Sequence, residues 1–200
     1  FNEPQQTENT ILTIFNNLID VLISKDMKCN FFQASSSEMF TTNLEGKIDE
    51  SSKLEPNSPY AKAKVSNHNK VLDLVNEYEW NITSGIMFNH ESVLRPSRFV
   101  TRKICQSAAN IAAGKQNCLK LGDLTIKRDW GWAPEYVQAM WQMMQQENAE
   151  DYVIATGRIY ALNDFVKEAF SSLNLDWEKY VIINQKLKRP SEISSGYGLP

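Results

Sequence analysis

The sequence predicts an α/β protein built on a largely parallel sheet. Three observations carry this. Stretches with apolar residues at three- and four-residue steps alternate with short apolar, β-branched runs. The two clearest of those runs stop in polar clusters, the pattern of strands whose carboxyl ends are put to use. Helix-start chemistry separates the segments.

Taken in order, Ile11, Phe15, Leu18, Ile19 and Leu22 predict an amphipathic helix over 11–25. A strand follows through Asn30-Phe31-Phe32-Gln33-Ala34 and ends in Ser35-Ser36-Ser37-Glu38. Asn57-Ser58-Pro59 starts the next helix, with Ser58 as cap and Pro59 at the first helical position, and this helix runs to about residue 79. Residues 82–88 form a strand that stops at Asn89-His90-Glu91. A helix over 99–113, a short strand near Leu119, a helix over 134–146, a strand over 152–155 and a helix over 162–173 complete the alternation. The stripe Tyr136, Ala139, Met140, Met143 and Met144 has helical spacing and is expected to pack in the core; Trp130 and Trp132 either wall a site or pack.

Composition narrows the function. The 42% hydrophobic content and five tryptophans suffice for one substantial core, and the net charge of −3 comes from interspersed acids and bases. No basic patch suits nucleic acid or an anionic membrane. No run approaches the roughly 18 apolar residues of a membrane span, and no signal peptide is evident, so the expected compartment is the cytoplasm. Cys29, Cys105 and Cys118 lack both pairing and metal-ligand spacing. They are read as reduced thiols that mostly fill core, and no metal site is expected. No Gly-x-Gly-x-x-Gly loop occurs, so the phosphate-cradling half of a dinucleotide fold is missing and both ends of the chain look cut.

The chemistry centres on Tyr60-Ala61-Lys62-Ala63-Lys64, because residues four apart share a helix face and let a phenol and an ammonium act together. A phenol with an ordinary pKa near 10 is a poor base at neutral pH, and an adjacent cation favours the phenolate. By itself such a pair is common on solvated helices. Upstream, Gln33-Ala34-Ser35-Ser36-Ser37-Glu38-Met39-Phe40 closes a strand with hydroxyls and a carboxylate, which by itself is an ordinary serine-rich turn.

Together these segments resemble the GDP-mannose 4,6-dehydratases, extended short-chain dehydrogenases whose corresponding stretches read Gln-Ala-Ser-Thr-Ser-Glu-Leu-Tyr and Ser-Pro-Tyr-x-x-x-Lys. The spacing between the two agrees. Further on, Gly85-Ile86-Met87-Phe88-Asn89-His90-Glu91-Ser92, Arg95, Phe99-Val100-Thr101-Arg102-Lys103-Ile104, Lys127-Arg128-Asp129-Trp130-Gly131-Trp132-Ala133-Pro134-Glu135-Tyr136-Val137 and Arg189-Pro190-Ser191-Glu192 resemble the same family over essentially the whole length.

The resemblance implies a partial Rossmann-type doubly wound parallel sheet over 1–90, with a smaller C-terminal sugar-nucleotide-binding α/β region over 91–200 that returns some segments to the Rossmann core. It implies NADP as cofactor, GDP-mannose as substrate, and a homo-oligomer, dimer or tetramer. Catalysis would fall to Ser36, Glu38, Tyr60 and Lys64. Tyr60 is the base for the sugar 4-hydroxyl, Lys64 holds the nicotinamide ribose and lowers the phenol's pKa, and Glu38 is the acid/base of elimination. Ser36 stands where the family has threonine, keeping the hydroxyl and losing a methyl. Tyr60, Lys64, His90 and Arg95 would contact the cofactor; Asn89, Lys103, Arg128, Arg189 and Glu192 would contact the sugar nucleotide. Two rivals remain open at this level: a related sugar-nucleotide 4-keto reductase or epimerase, which needs no elimination carboxylate, and a truncated remnant that binds a nucleotide without turnover.

Overall fold

The computed structural model describes residues 3–27, 29–40, 47–78, 80–148, 150–187 and 197–198. In chain order it runs α1 (Pro4–Ser24), β1 (Phe31–Ser36), a single 3-10 turn (Ser37–Met39), β2 (Lys47–Ile48), α2 (Pro59–Tyr78), β3 (Ile82–Met87), β4 (Asn89–Glu91) and α3 (Val100–Ala112). The second half adds β5 (Leu119–Leu121), β6 (Lys127–Arg128), β7 (Trp130–Trp132), α4 (Ala133–Met143), β8 (Asp151–Ile154), β9 (Tyr160–Ala161), α5 (Leu162–Ser171), β10 (Val181–Ile183) and β11 (Tyr197–Gly198).

The frame is a parallel sheet in the order β1-β3-β8. Ser36 lies opposite Met87, and Met87 opposite Ile154, so the strands finish level at their carboxyl ends. Central β3 is buried along nearly its full length, which is why Ile82-Thr83-Ser84-Gly85-Ile86 lacks a polar face. At Gly85 a Cβ would lie 2.7 Å from the ring edge of Phe32, so β1 and β3 side chains interlock only because that position is bare.

Helices α1 and α2 cover one edge of this frame through Phe15, Ile19, Leu22, Val71 and Leu74, with Trp80 and Ile82 closing the cluster. Leu18, expected on that buried face, is 45% exposed. It belongs to a second stripe with Ile14 and Val21, and the helix begins earlier than expected because Pro4 serves as its first residue. Ser58 caps α2 as expected, its Oγ accepting from the Ala61 N–H at 3.0 Å. The α4 stripe packs with Tyr136 and Met143 buried beside Ile154, flanked by Ala139 and Met140.

A separate core joins α3, β5 and α5 through Ile104, Ala108, Leu119, Leu121, Val166 and Phe170. The polar cluster Asn89-His90-Glu91 does more than end a strand: it forms β4, paired in parallel with β7 so that His90 lies opposite Gly131. The cysteines depart from expectation. Cys29 and Cys105 are exposed and Cys118 is half-buried, so none fills core, although all three are free thiols as read.

Candidate active site

The carboxyl end of β1 and the first turns of α2 meet over the sheet. Ser36 ends β1 in extended backbone, and its Oγ accepts from the Glu38 N–H at 3.2 Å, turning the chain into the single 3-10 turn that carries Glu38. The same hydroxyl acts on the Tyr60 phenol, opposing the rise of its pKa. One small side chain therefore bears on both the carboxylate turn and the phenol. One turn along α2, Lys64 Nζ donates to the Ala34 carbonyl at 2.8 Å. Residues 34 and 36 of β1 thus interact with Lys64 and Tyr60, four apart on one helix face.

Burial pushes the Tyr60 phenol above its ordinary value, opposed by the Ser36 hydroxyl, reinforced by the Glu38 charge and opposed again by Arg95. Lys64 stands one turn along the helix. Its ammonium sits 5.6 Å from the Tyr60 ring centroid, engaged with a carbonyl, and burial pulls its own pKa down.

Arg95 is held by two contacts. It pairs with Glu91 at 3.2 Å, and its guanidinium lies 3.7 Å from the centroid of the Phe99 ring. His90 has Nδ1 2.9 Å from the Phe88 carbonyl, which can only accept, so Nδ1 carries a proton and donates it there. That ring also lies against Tyr136, with centroids 4.9 Å apart. Asn89 sits half-buried at the start of β4, opposite Trp130.

The remaining candidates lie on the second core. Lys103 on α3 donates to the Lys120 carbonyl of β5 at 2.7 Å, and Arg128 on β6 donates to the Lys127 carbonyl at 2.8 Å. Arg189 and Glu192 fall outside the described residues. Trp130 packs on Phe165, whereas Trp132 is 47% exposed. Both help line a concavity of about 710 Å³ with Thr101, Arg102 and Phe165, and no candidate site residue borders it.

Sequence reasoning assigned no role to Asp129, which is 1% exposed. Its carboxylate accepts from the Thr156 N–H at 3.0 Å, the Thr156 hydroxyl at 2.7 Å and the Gly157 N–H at 3.0 Å, tying the strand between Arg128 and Trp130 to the loop after β8. Its only signal was its place in the block Lys127-Arg128-Asp129-Trp130-Gly131. Among the described residues no group of three or more metal-ligating side chains occurs, and no helix is long and apolar enough to cross a membrane.

The family profile described as GDP-mannose 4,6 dehydratase matches residues 1–198. The chain belongs to that family. It is 37% identical to GDP-mannose 4,6 dehydratase 2 of Arabidopsis thaliana, covering 99% of the chain and 54% of the relative. Against the GDP-mannose 4,6-dehydratase of Sinorhizobium fredii the identity is 43%, over 75% of the chain and 43% of that protein. The chain thus spans about half the length of the curated relatives it matches. Among solved structures it is similar to RMD from Pseudomonas aeruginosa complexed with NADPH, with a TM-score of 0.90 at 20% identity, covering all of this chain and 67% of that one. The UDP-glucose 4-epimerase of Thermotoga maritima gives 0.84 at 20% identity, covering 98% and 62%. At that identity the two structures establish the fold: a Rossmann-type α/β architecture with a parallel sheet.

Proposed function

We propose that this chain carries the catalytic half of an NADP-dependent GDP-mannose 4,6-dehydratase, a hydro-lyase that yields GDP-4-keto-6-deoxymannose. The observation that carries the reading is the convergence of Ser36, Glu38, Tyr60 and Lys64 where β1 ends against α2. Family membership and the relatives' printed activity support it. The nicotinamide assignment has separate support, because one solved neighbour holds NADPH and another, a dTDP-glucose 4,6-dehydratase from Bacillus anthracis, holds NAD.

The donor set fits the nicotinamide end of such a cofactor. Lys64 has ammonium protons beyond the one given to Ala34, Tyr60 presents a phenol beside it, and His90 keeps Nε2 open. Bound there, NADP would supply reversible hydride chemistry, from the sugar C4 and back to C6 of the double bond left by elimination, with no net oxidation over a turnover. The protein's own groups manage protons. Tyr60 takes the proton of the 4-hydroxyl, and the Ser36 hydroxyl steadies the oxygen as it becomes a ketone. The ketone acidifies the C5–H bond. Glu38 removes that proton and assists departure of the 6-hydroxyl as water. Asn89, Lys103, Arg128, Arg189 and Glu192 are the proposed contacts of the sugar nucleotide, where cationic donors suit a diphosphate.

A carboxylate beside the hydroxyl run separates this reading from a reductase or epimerase, since neither needs an elimination base. The test is product analysis after incubating protein containing this sequence with GDP-mannose and NADP. A 4-keto-6-deoxy sugar bears the reading out, and a 4-epimer or unchanged sugar overturns it.

A further inference from the structure

We propose that His68 is a positioning residue for the catalytic centre, holding the carboxyl end of β1 against α2 through Ser84 of β3. The proposal rests on the dehydratase reading for its kinetic consequence, but its structural content does not.

His68 follows Lys64 by four residues and Tyr60 by eight, so all three lie on one face of α2. The Ser36 hydroxyl acts on Tyr60, and Lys64 donates to the Ala34 carbonyl. His68 completes the row by reaching the residue between them. Its Nδ1 lies 3.0 Å from Ser84 Oγ, and Ser84 Oγ lies 2.8 Å from Ser35 Oγ. Lys64 thus holds residue 34 of β1 directly, and His68 reaches residue 35 through Ser84 of the neighbouring strand.

The link is sealed from water: Ser84 is 0%, Ser35 3% and His68 5% exposed. A buried hydrogen bond that loses one partner leaves the other unsatisfied, which costs more than the bond itself contributes. A nucleophilic role for Ser84 is excluded by the same burial, since no substrate reaches it. At the far side of the ring, Nε2 lies 3.5 Å from Asp151 of β8, so the imidazole spans from the middle strand to the outer one. The charged groups around His68 are Asp151, then Glu50, whose Oε1 accepts from the Val153 N–H on the same strand, and Lys64 one turn back. Burial raises the Asp151 carboxyl and the imidazole opposes that rise.

The consequence is specific. Ser35 neighbours Ser36, the single side chain that bears on both Tyr60 and the Glu38 turn. Releasing Ser35 lets the end of β1 shift relative to Tyr60 without touching any group that binds the nucleotide. Small misplacements of reacting groups cost about tenfold to a hundredfold in rate.

The experiment compares His68→Leu, Ser84→Ala and His68→Asn, the last because its side-chain amide can stand near Nδ1. In protein active on GDP-mannose, His68→Leu and Ser84→Ala should lower kcat about tenfold or more with KM within about twofold, and His68→Asn should restore most of kcat. Tyr60 is followed separately by carbon-13 tyrosine NMR, its resonance assigned by loss in Tyr60→Phe. Its shift and titration should move in His68→Leu and Ser84→Ala and return in His68→Asn. Wild-type kcat in both disrupted variants, or an effect confined to KM, overturns the proposal. If the wild type does not turn over GDP-mannose, the dehydratase reading fails and the NMR comparison alone decides: an unmoved Tyr60 resonance overturns the positioning role. Should His68→Leu not fold, Ser84→Ala carries both readouts.

Discussion

At the scale of single residues, Ser36 shows how much one hydroxyl decides. It caps the Glu38 turn and acts on the Tyr60 phenol, so the proposed acid/base of elimination and the proposed base of oxidation share one neighbour. Glu38→Gln keeps the shape and removes the charge. The oxidation half of the reaction should persist, read as NADPH absorbance accumulating in a single turnover, while 4-keto-6-deoxy product falls about a hundredfold or more. The same substitution deletes a charge that raises the Tyr60 pKa. The alkaline limb of the oxidation rate, which climbs as the phenol ionises, should therefore move to lower pH than in wild type; movement to higher pH would refute the arrangement. Tyr60→Phe should slow oxidation itself by about a hundredfold to ten-thousandfold, checked by the rate of NADPH appearance. That Tyr60 and Lys64 share a helix face beside the strand end bearing Ser36 and Glu38 was legible in the sequence, because helical spacing and a hydroxyl-rich strand end are local patterns. His68 and Asp129 were not, since their partners Ser84 and Thr156 are sequence-distant and become neighbours only through sheet pairing.

At the scale of elements, the long helices and the sheet strands followed directly from periodicity. The two- and three-residue strands did not, because a segment such as Lys127–Arg128 or Trp130–Trp132 is too short to show a period. Those short pieces nevertheless carry site residues. The β4–β7 ribbon holds Asn89 and His90, and its closeness depends on Gly131, where a Cβ would stand 2.8 Å from the Tyr136 hydroxyl and closer still to its ring. Tyr136 is 3% exposed and packs on His90, so the ring has little room to yield. Gly131→Ala should push Tyr136 against His90 and destabilise the fold by about 1–3 kcal/mol, the usual cost of overpacking. Chemical denaturation measures the loss. Affinity for the nicotinamide cofactor should fall with it, whereas Phe170→Ala in the other core should cost about 3–5 kcal/mol and leave that affinity within a few-fold once the protein is folded.

At the scale of the molecule, two properties follow from how the surfaces are distributed. Ile14, Leu18 and Val21 are 65%, 45% and 53% exposed along one side of α1, an apolar stripe that self-association would cover, which makes it the face on which to test the expected homo-oligomer. Val21→Glu should shift sedimentation toward monomer; an unchanged profile removes this face as the interface. The second property concerns ligands. The proposed nicotinamide-side contacts are Tyr60, Lys64, His90 and Arg95, but these 200 residues contain no Gly-x-Gly-x-x-Gly loop to receive a pyrophosphate. More contacts are proposed for the nucleotide sugar, namely Asn89, Lys103, Arg128, Arg189 and Glu192. A protein of these 200 residues should therefore bind GDP more tightly than NADP. Arg128→Ala should weaken GDP by about tenfold, in keeping with the loss of one charge-assisted contact of about 1.5 kcal/mol, and leave NADP unchanged. Calorimetric titration of both ligands reads the order directly, and NADP binding more tightly than GDP would show that the pyrophosphate is held by residues other than a glycine loop.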